Sequence, residues 1–341
     1  MIIRSKAPLR LGLAGGGTDV SPYSDIYGGA ILNATISLYA NASLEPLNNG
    51  KIEFVALDRD EKISFNSADF LEVGKMLPLH IGVYNRIVKE FSKKPLSFRL
   101  STFVDAPAGS GLGTSSTLMV AILGAFVEWL NLPLGEYDIA HLAYDIERVD
   151  LAMSGGKQDQ YAATFGGVNF MEFLKDNQVI VNPLRIKQDY LNELSNNLVL
   201  YYTKTSRFSS DIINSQSKSV KDKNQTAIEA MHKLKEQAVM MKRTLAVGDI
   251  NKIGEILDFG WQHKKQMAKG ITSPEIDNIY CSAINAGATG GKISGAGGGG
   301  FMIFYCPRNT KYQVIEALSK FGGSIHPYIF INEGLSTWTS K

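Results

Sequence analysis

Ten residues at positions 107–116 carry the sharpest chemical signal in this sequence: Pro107, Ala108, Gly109, Ser110, Gly111, Leu112, Gly113, Thr114, Ser115 and Ser116. The glycines let the backbone turn tightly, so that several N–H groups point to one place. The apolar residues 117–130 that follow predict a helix whose positive end faces the same place. The run therefore predicts a polyphosphate-binding loop, although an ordinary strand-to-helix turn with serine caps would look similar. It is not a Walker A loop, because no lysine follows the last glycine.

Two further glycine-rich segments lie far away along the chain. Residues 295–300 formally match GxGxxG, but they lead into the predicted strand 301–306 and not into a helix, so a dinucleotide fold is not expected. Five glycines in six positions still indicate a close approach of the backbone to another group. Residues 10–19 predict a strand that leaves into a glycine turn ending in Asp19. Such a turn can bind a sugar through the Asp19 carboxylate, or it can be a structural turn that Asp19 caps.

Two carboxylates are candidates for catalysis or for binding a metal. Asp159 is flanked by amides and by Lys157 just after a predicted helix at 136–151, which suits a catalytic base or a metal ligand. Taken alone, a solvated loop aspartate is the more favoured interpretation. Glu147 on that helix is by default a surface residue. The five histidines show no metal-ligand spacing.

The elements that must position these residues follow from hydrophobic patterning. Strands are predicted at 31–44, 51–57, 62–65, 97–104, 197–203, 301–306 and 324–331, and helices at 80–91, 117–130, 136–151, 226–248 and 310–321. A polar stretch at 215–224 precedes a capping box at Thr226–Glu229. The order of the later elements is compatible with a ferredoxin-like split βαβ sandwich. We place the domain boundary near 185–196, which divides the chain into domains 1–190 and 191–341.

Composition excludes several classes of protein. The chain has 341 residues, which suggests two domains at roughly 150 residues each, and its net charge of +2 gives no general attraction to nucleic acid or to anionic membranes. Its longest apolar run, 118–127, is shorter than the ~20 residues of a membrane span. Two cysteines are too few for a disulfide framework. We therefore expect a cytoplasmic protein that binds neither nucleic acid nor membranes; a homodimer is compatible with these features.

Taken together, the three glycine segments resemble the GHMP kinase superfamily, which includes galactokinase, homoserine kinase and mevalonate kinase. The three motifs of that superfamily match residues 7–19, 107–116 and 292–301, in order. The resemblance implies an α+β fold of two domains. The first is a ribosomal-protein-S5-domain-2-like domain with a left-handed βαβ crossover, which binds ATP. The second is a ferredoxin-like domain, and the active site lies between the two.

The resemblance also implies a role for each motif. The 107–116 loop would wrap the phosphates of ATP, with Ser115 and Glu147 near Mg²⁺. Asp159 would be the catalytic aspartate, and Arg10 would be its basic partner. The third motif would support the phosphate loop and close the site. The residues implied in substrate binding are Gly16, Gly17, Thr18, Asp19, Gly297 and Gly298.

Within the superfamily, the run 14–19 differs from the galactokinase pattern, and the run 155–167 resembles the bacterial D-glycero-D-manno-heptose 7-phosphate kinases. That resemblance spans the chain, including 205–210, and L-fucose kinase domains share part of the pattern. This resemblance implies that the protein transfers a phosphoryl group from ATP to the anomeric hydroxyl of that sugar phosphate, making a 1,7-bisphosphate for nucleotide-activated heptose. The substrate's own phosphate needs a second basic site, for which Lys157 and Arg207 are the candidates. The family more often has serine where Phe208 stands and alanine where Thr117 stands.

Three alternatives remain at this point. An L-fucose-type anomeric kinase would act on an unphosphorylated sugar. A sensor would bind sugar and ATP without turnover, although the presence of Asp159, Arg10 and Glu147 argues against a dead enzyme. A decarboxylase of the isoprenoid branch is disfavoured, because the runs 14–19 and 155–160 suit a sugar.

Overall fold

Two β-sheets form the framework of this protein in a computed structural model that describes residues 1–205 and 209–340. The larger sheet contains β1 (Ile2–Ala14), β2 (Gly29–Pro46), β3 (Lys51–Ala56), β4 (Glu61–Asn66), β5 (Phe98–Val104), β6 (Val168–Phe173), β7 (Val179–Pro183) and β12 (Ser336–Ser340). Its main path runs β12-β1-β2-β5-β3-β4. The long strand β2 pairs with β1 on one edge, and on the other edge it pairs first with β6 and then with β5.

The helices of the first half cover this sheet. They are α1 (Tyr23–Tyr27), α2 (Pro78–Ile87), α3 (Thr114–Leu130), α4 (Glu136–Asp145) and α5 (Gln158–Phe165), and short π-helical turns follow α2 and α4 at Val88–Ser92 and Ile146–Asp150. Every residue of α3 from Ser116 to Phe126 is buried, because α3 packs against β1 and β2 and is covered by α2, α4 and α5. This position explains why α3 is apolar on all sides.

The second sheet has four strands in the order β11-β8-β10-β9. These are β8 (Leu198–Tyr202), β9 (Gly290–Ile293), β10 (Phe301–Tyr305) and β11 (Ser324–Ile325), and they pair antiparallel. The accompanying helices are α6 (Gln188–Asn197), α7 (Ser209–Lys221), α8 (Gln225–Val247), α9 (Ile253–Lys264), α10 (Pro274–Asn285) and α11 (Lys311–Ser319). If these four strands are numbered 1 to 4 along the chain, their order in the sheet is 4-1-3-2, as in a ferredoxin-like sandwich. The expected ferredoxin-like fold of the second half is therefore confirmed.

Four local predictions need correction. The polar stretch 215–224 lies largely in α7, a helix whose buried side carries Ile212, Gln216 and Val220. Helix α8 is capped by Asn224, whose side chain accepts from the Ala227 N–H, and not by a box at Thr226. Of the strand predicted at 324–331, only β11 forms in the second sheet. Asp159 lies in the first turn of α5 and not in a loop.

The C-terminal segment crosses back to the first sheet. Phe330 bridges to Ile36, and β12 pairs with β1 from Ser336 to Ser340. The division at residue 190 stays a prediction, but these pairings attach the last residues of the chain to the first sheet. Among the described residues, none of the helices has the length and apolar character needed to cross a membrane.

Candidate active site

The loop at 107–113 links β5 to α3 and presents its backbone outward. Gly109, Gly111 and Gly113 have φ angles of 73°, 85° and 79°, a left-handed conformation that glycine adopts without strain. Helix α3 begins at Thr114 directly after Gly113. The first N–H groups of a helix have no partner within it, and together with the helix dipole they attract an anion. The loop therefore has the geometry of the predicted phosphate-binding site.

The third glycine segment holds this loop from behind. The N–H of Phe301 donates to Ser110 O at 2.8 Å, and the hydroxyl of Ser294 donates to Gly111 O at 2.9 Å. A Cβ atom on Gly295 would lie 2.6 Å from the Gly111 Cα, so the two backbones are in direct contact. The phosphate loop and the third glycine segment are thus packed directly against each other, which agrees with the supporting role implied by the resemblance.

Asp159 and Arg10 form an ion pair at the end of the phosphate loop. Both Nε and Nη2 of Arg10 lie 2.7 Å from Asp159 Oδ1. Arg10 also donates from Nη1 to Gly111 O at 2.6 Å, and its side chain is only 4% exposed. The Asp159 side chain is 21% exposed, and its Oδ2 faces Gly113, where an added Cβ would be 3.2 Å away. One carboxylate oxygen is therefore fixed, and the other is accessible beside the loop.

Glu147 is buried in the site and does not lie on the surface. Its Oε1 accepts from the Ser115 hydroxyl at 2.7 Å, and its Oε2 accepts from Ser116 at 2.6 Å and from Gln160 Nε2 at 2.8 Å. Arg148 Nη1 lies 3.3 Å from the same carboxylate. Within residues 1–205 and 209–340, no three His, Cys, Asp or Glu side chains are grouped to hold a metal ion by themselves. A carboxylate and a serine hydroxyl beside a phosphate loop do fit Mg²⁺, which takes few protein oxygens and completes its shell with phosphates and water.

The Asp19 carboxylate holds the turn that leads into α5. Its Oδ2 accepts from the N–H groups of Lys157 and Gln158 at 2.9 and 3.1 Å. Burial raises the pKa of Asp19, the charge of Asp159 raises it further, and the Gln158 N–H opposes both effects. The Thr18 hydroxyl is also buried and bonds to the main chain of Gly15 and Ala30. These contacts give both residues a positioning role, and their predicted contacts with the substrate stay predictions.

The remaining predicted substrate residues divide into two groups. Gly16 and Gly17 are partly exposed at the turn, as a substrate contact requires. Gly297 and Gly298 are buried, and the Gly298 N–H donates to Ile271 O at 2.8 Å, so they pack within the second domain. The Lys157 ammonium is buried and lies 3.2 Å from Asp25 Oδ1, an ion pair that does not support its predicted role as a phosphate ligand. Arg207 lies outside the described residues.

Two buried lysines at the site were not predicted from the sequence. Lys264 ends α9, and Lys292 lies in β9 within the third motif. Burial lowers the pKa of Lys264 to about 8, the charge of Asp19 opposes this, and that of Arg10 adds to it. Burial, followed by the charges of Lys264 and Arg10, lowers the pKa of Lys292 well below its usual value. Lysine is common on protein surfaces, so no signal in the sequence indicates that Lys264 and Lys292 belong to the site. Only their burial beside Arg10 distinguishes them from surface lysines.

A cavity of about 250 Å³ opens on the other side of the phosphate loop. Leu77, Leu79 and Leu118 form apolar parts of its wall, and Gly109 and Ser115 connect it to the loop. His80 also lines it, and burial lowers the pKa of His80 to about 3, so this ring is neutral. A flat, largely apolar group attached to phosphates would fit between this cavity and the loop.

Fold and site together define a class of protein. Residues 78–167 match the family model of the GHMP kinases N-terminal domain, and residues 222–324 match that of the GHMP kinases C-terminal domain. The chain belongs to the GHMP kinases, and it is a phosphotransferase.

More particular similarities are found among individual proteins. The chain is 49% identical to the D-glycero-alpha-D-manno-heptose 7-phosphate kinase of Campylobacter jejuni, over 98% of both chains. A crystal structure of a D-glycero-D-manno-heptose 1-phosphate kinase from Bacteroides thetaiotaomicron superposes with a TM-score of 0.86 and 48% identity, covering 99% of both chains. The L-fucokinase/L-fucose-1-P guanylyltransferase of Bacteroides fragilis is 25% identical over 88% of this chain, which spans 34% of that protein.

Proposed function

We propose that this protein phosphorylates the anomeric hydroxyl of D-glycero-D-manno-heptose 7-phosphate with ATP, giving the 1,7-bisphosphate and ADP. The observation that carries this proposal is the 49% identity to a kinase of that name over 98% of both chains. The arrangement of the site supports it, because an ion-paired aspartate lies where a phosphate-binding loop meets a glycine turn. The 25% identity to the fucokinase makes an L-fucose substrate the weaker alternative.

ATP would bind with its phosphates on the 107–113 loop and its adenine in the adjacent cavity. The backbone N–H groups of the loop and the first turn of α3 supply donors for phosphate oxygens. The positive φ angles of Gly109, Gly111 and Gly113 support this role, since side chains there would be strained. The apolar wall formed by Leu77, Leu79 and Leu118 suits a purine ring.

Asp159 would accept the proton of the attacking hydroxyl. The sugar oxygen forms a bond to the γ-phosphorus, the bond from that phosphorus to the β–γ bridging oxygen breaks, and ADP leaves. The hydroxyl proton passes to Asp159 Oδ2, while Arg10 holds Oδ1 and so fixes the orientation of the carboxylate. Phosphoryl transfer of this kind depends mainly on in-line placement and on balancing charge, and the Arg10 guanidinium contributes to both.

Glu147 and Ser115 would hold Mg²⁺, in part through water. Bound there, the ion would neutralise charge on the ATP phosphates. The direct hydrogen bond between the Ser115 hydroxyl and the Glu147 carboxylate supports this assignment, because it brings two hard oxygen ligands to the start of α3. Gln160 and Arg148 fix the orientation of the carboxylate from behind. We also propose a cytoplasmic location, where ATP is available.

The test is an ADP-release assay with heptose 7-phosphate, the unphosphorylated heptose, mannose 6-phosphate, L-fucose, galactose and mevalonate. We expect heptose 7-phosphate to give the highest kcat/KM and a product phosphorylated at C1 by ³¹P NMR. A higher kcat/KM for L-fucose would overturn the proposal in favour of the fucokinase alternative. Absence of turnover with every sugar would favour the sensor.

Asp159→Asn is the matched variant for this assay. It keeps the size of the side chain but removes the proton acceptor, so we expect kcat to fall by about 10²- to 10⁴-fold. ATP binding measured by calorimetry should change little, because Asp159 does not belong to the phosphate loop. A kcat within threefold of the unmodified protein would remove Asp159 from its assigned role.

A further inference from the structure

The two buried lysines converge on one point of the glycine turn. A Cβ atom placed on Gly16 would lie 3.5 Å from the Lys264 ammonium and 3.9 Å from that of Lys292. Gly16 itself is partly exposed, while the two lysines are only 2% and 3% exposed. Both side chains thus direct their charged ends from the protein interior towards the part of the turn that a substrate can reach.

Neither ammonium forms a close ion pair within the described residues, although the charge of Asp19 acts on Lys264 from a greater distance. Lys264 Nζ donates to Gly295 O at 2.6 Å, and Lys292 Nζ donates to Gly12 O at 2.8 Å. In the described part of the chain, no carboxylate oxygen lies within 4.0 Å of either nitrogen, whereas the equally buried Lys157 is paired with Asp25. An ammonium has three donors, so each of these has further N–H groups to offer. Leaving such charges buried and unpaired is costly, which indicates that an anion completes the site.

The two lysines bond to carbonyl groups that lie outside the phosphate loop but next to it, since Gly295 touches Gly111. Their partners are the carbonyl groups of Gly12 and Gly295, and neither ammonium hydrogen-bonds to the 107–116 loop. Gln216 lies beside the same turn, with its Oε1 3.5 Å from a Cβ placed on Gly17, and its buried Nε2 has no hydrogen-bond partner. A donor without a partner therefore lies beside the same glycine turn as the two lysines.

We propose that Lys264 and Lys292 form the binding site for the distal phosphate of the sugar substrate, reached across the unsubstituted face of Gly16. The proposal rests on the proposed function, since an unphosphorylated sugar would leave both charges unbalanced. It replaces Lys157, which is paired with Asp25, with two lysines that form no close ion pair. A phosphate dianion balances two ammonium groups and accepts several charge-assisted hydrogen bonds.

The first test compares Lys264→Met and Lys292→Met with Lys269→Met, an exposed lysine five positions beyond Lys264. We expect each buried variant to raise the KM for heptose 7-phosphate by 10- to 100-fold, while the KM for ATP and the kcat/KM for unphosphorylated heptose stay within twofold. Methionine removes a buried charge but also the hydrogen bond to a main-chain carbonyl, so the Tm of each free variant is measured to show that it is folded. Lys264→Arg should restore part of the affinity.

Three results would overturn the proposal. They are an unchanged KM for heptose 7-phosphate in both buried variants, an equal loss of kcat/KM with the phosphorylated and unphosphorylated sugars, and a rise in the KM for ATP instead.

A second experiment tests the same site without changing either lysine. Gly16→Ala has room for its methyl group and no positive φ, so it should fold normally and yet weaken binding of the sugar phosphate. Gly74→Ala, with nothing within 4 Å of its Cβ, is the matched control and should leave all constants unchanged.

Binding measurements distinguish failure of this proposal from failure of the proposed function. Calorimetry with mannose 6-phosphate and inorganic phosphate reports on the anion site without turnover. If the unmodified protein does not phosphorylate heptose 7-phosphate but binds these probes, and Lys264→Met abolishes that binding, the anion site stands and the proposed substrate fails. If turnover occurs and the variants bind the probes as tightly as the unmodified protein, the lysine assignment fails alone.

Discussion

The glycine segments 107–113 and 294–300 have similar composition but opposite environments. In the first, residues Pro107 to Gly109 are exposed, and a Cβ on Gly109 would meet nothing within 4 Å. In the second, Gly297 to Gly300 are buried, and a Cβ on Gly300 would lie 2.3 Å from Ser110 O. Both segments use positive φ angles. The difference between Gly109 and Gly300 lies in what approaches the backbone, which is solvent at Gly109 and another stretch of the protein at Gly300. Gly111 is the point where the two segments meet, because a Cβ there would lie 2.3 Å from Ser294 O.

This difference shows that glycine serves two purposes within one site. In the phosphate loop, its absence of a side chain leaves N–H groups accessible to a ligand. In the third segment, it allows two backbones to touch, so that the loop is supported by main-chain contacts and cannot collapse inward. Substitution is therefore expected to affect function at Gly109 and stability at Gly300.

The largest effect is expected at Gly300. Gly300→Ala forces a methyl group against the Ser110 carbonyl and strains a φ of 86°, so we expect a loss of about 2–5 kcal/mol in the free energy of unfolding. Urea unfolding measures this change. Gly322→Ala is the matched control, because its φ is 71° and nothing lies within 4 Å of its Cβ. Equal losses in the two variants would contradict the packing role of the third segment.

A second substitution tests the contact between Gly113 in the phosphate loop and the carboxylate of Asp159. Gly113→Ala places a methyl group 3.0 Å from Asp159 Cγ and strains a φ of 79°, which displaces the carboxylate from its position beside the loop. We expect kcat to fall by about 100-fold, the scale associated with misplacing a reacting group by about 1 Å. Steady-state kinetics would show a smaller change in the KM for ATP. If the KM rose while kcat held, Gly113 would belong to the phosphate loop alone.

Glu147→Gln tests whether the carboxylate that contacts Ser115 at the start of α3 carries the metal site. The amide keeps the shape of the side chain but removes the charge that would attract Mg²⁺, so we expect the half-saturating Mg²⁺ concentration to rise by about 10-fold. A Mg²⁺ titration of the rate at saturating ATP measures it. Glu229→Gln, an exposed glutamate on α8, is the control. Superimposable titrations for the two variants would leave Glu147 with a purely structural role.

The smallest effect is expected at Gly109, where it distinguishes the loss of a contact with ATP from the backbone strain that a side chain causes. Gly109→Ala and Gly322→Ala have φ angles of 73° and 71° and open space around the Cβ, so they should lose similar stability. Only Gly109→Ala should raise the KM for ATP, by about 2- to 10-fold, the cost of losing a hydrogen bond to phosphate. Initial rates at several ATP concentrations give the KM for ATP of both variants. An unchanged KM in Gly109→Ala would move the nucleotide phosphates away from this end of the loop.

Sequence reasoning succeeded where a feature is local and failed where it depends on burial. The strands at 31–44 and 97–104 and the apolar helix at 117–130 are confirmed within a few residues, because period and turn residues report on neighbours in the chain. By contrast, α7 was predicted as a polar stretch, since its apolar positions are few and its polar face dominates the composition. Local pattern alone predicts a surface position for Glu147, and only the resemblance predicts a site near Mg²⁺; the residue is buried under α3 and α5.

The sequence by itself determined the class of protein, because three glycine motifs in fixed order specify backbone shapes that other residues cannot adopt. It also supplied Arg10, Asp159 and Glu147, whose side chains the fold brings to one site. Only the tertiary structure decided which charged side chains form an ion pair and which do not. Lys292 meets Gly12 across 280 positions of sequence, and Lys157 is paired with Asp25 across 132. Partners so distant in sequence are brought together by tertiary packing, within the first domain for Lys157 and between the two domains for Lys292, and no local pattern in the chain encodes them.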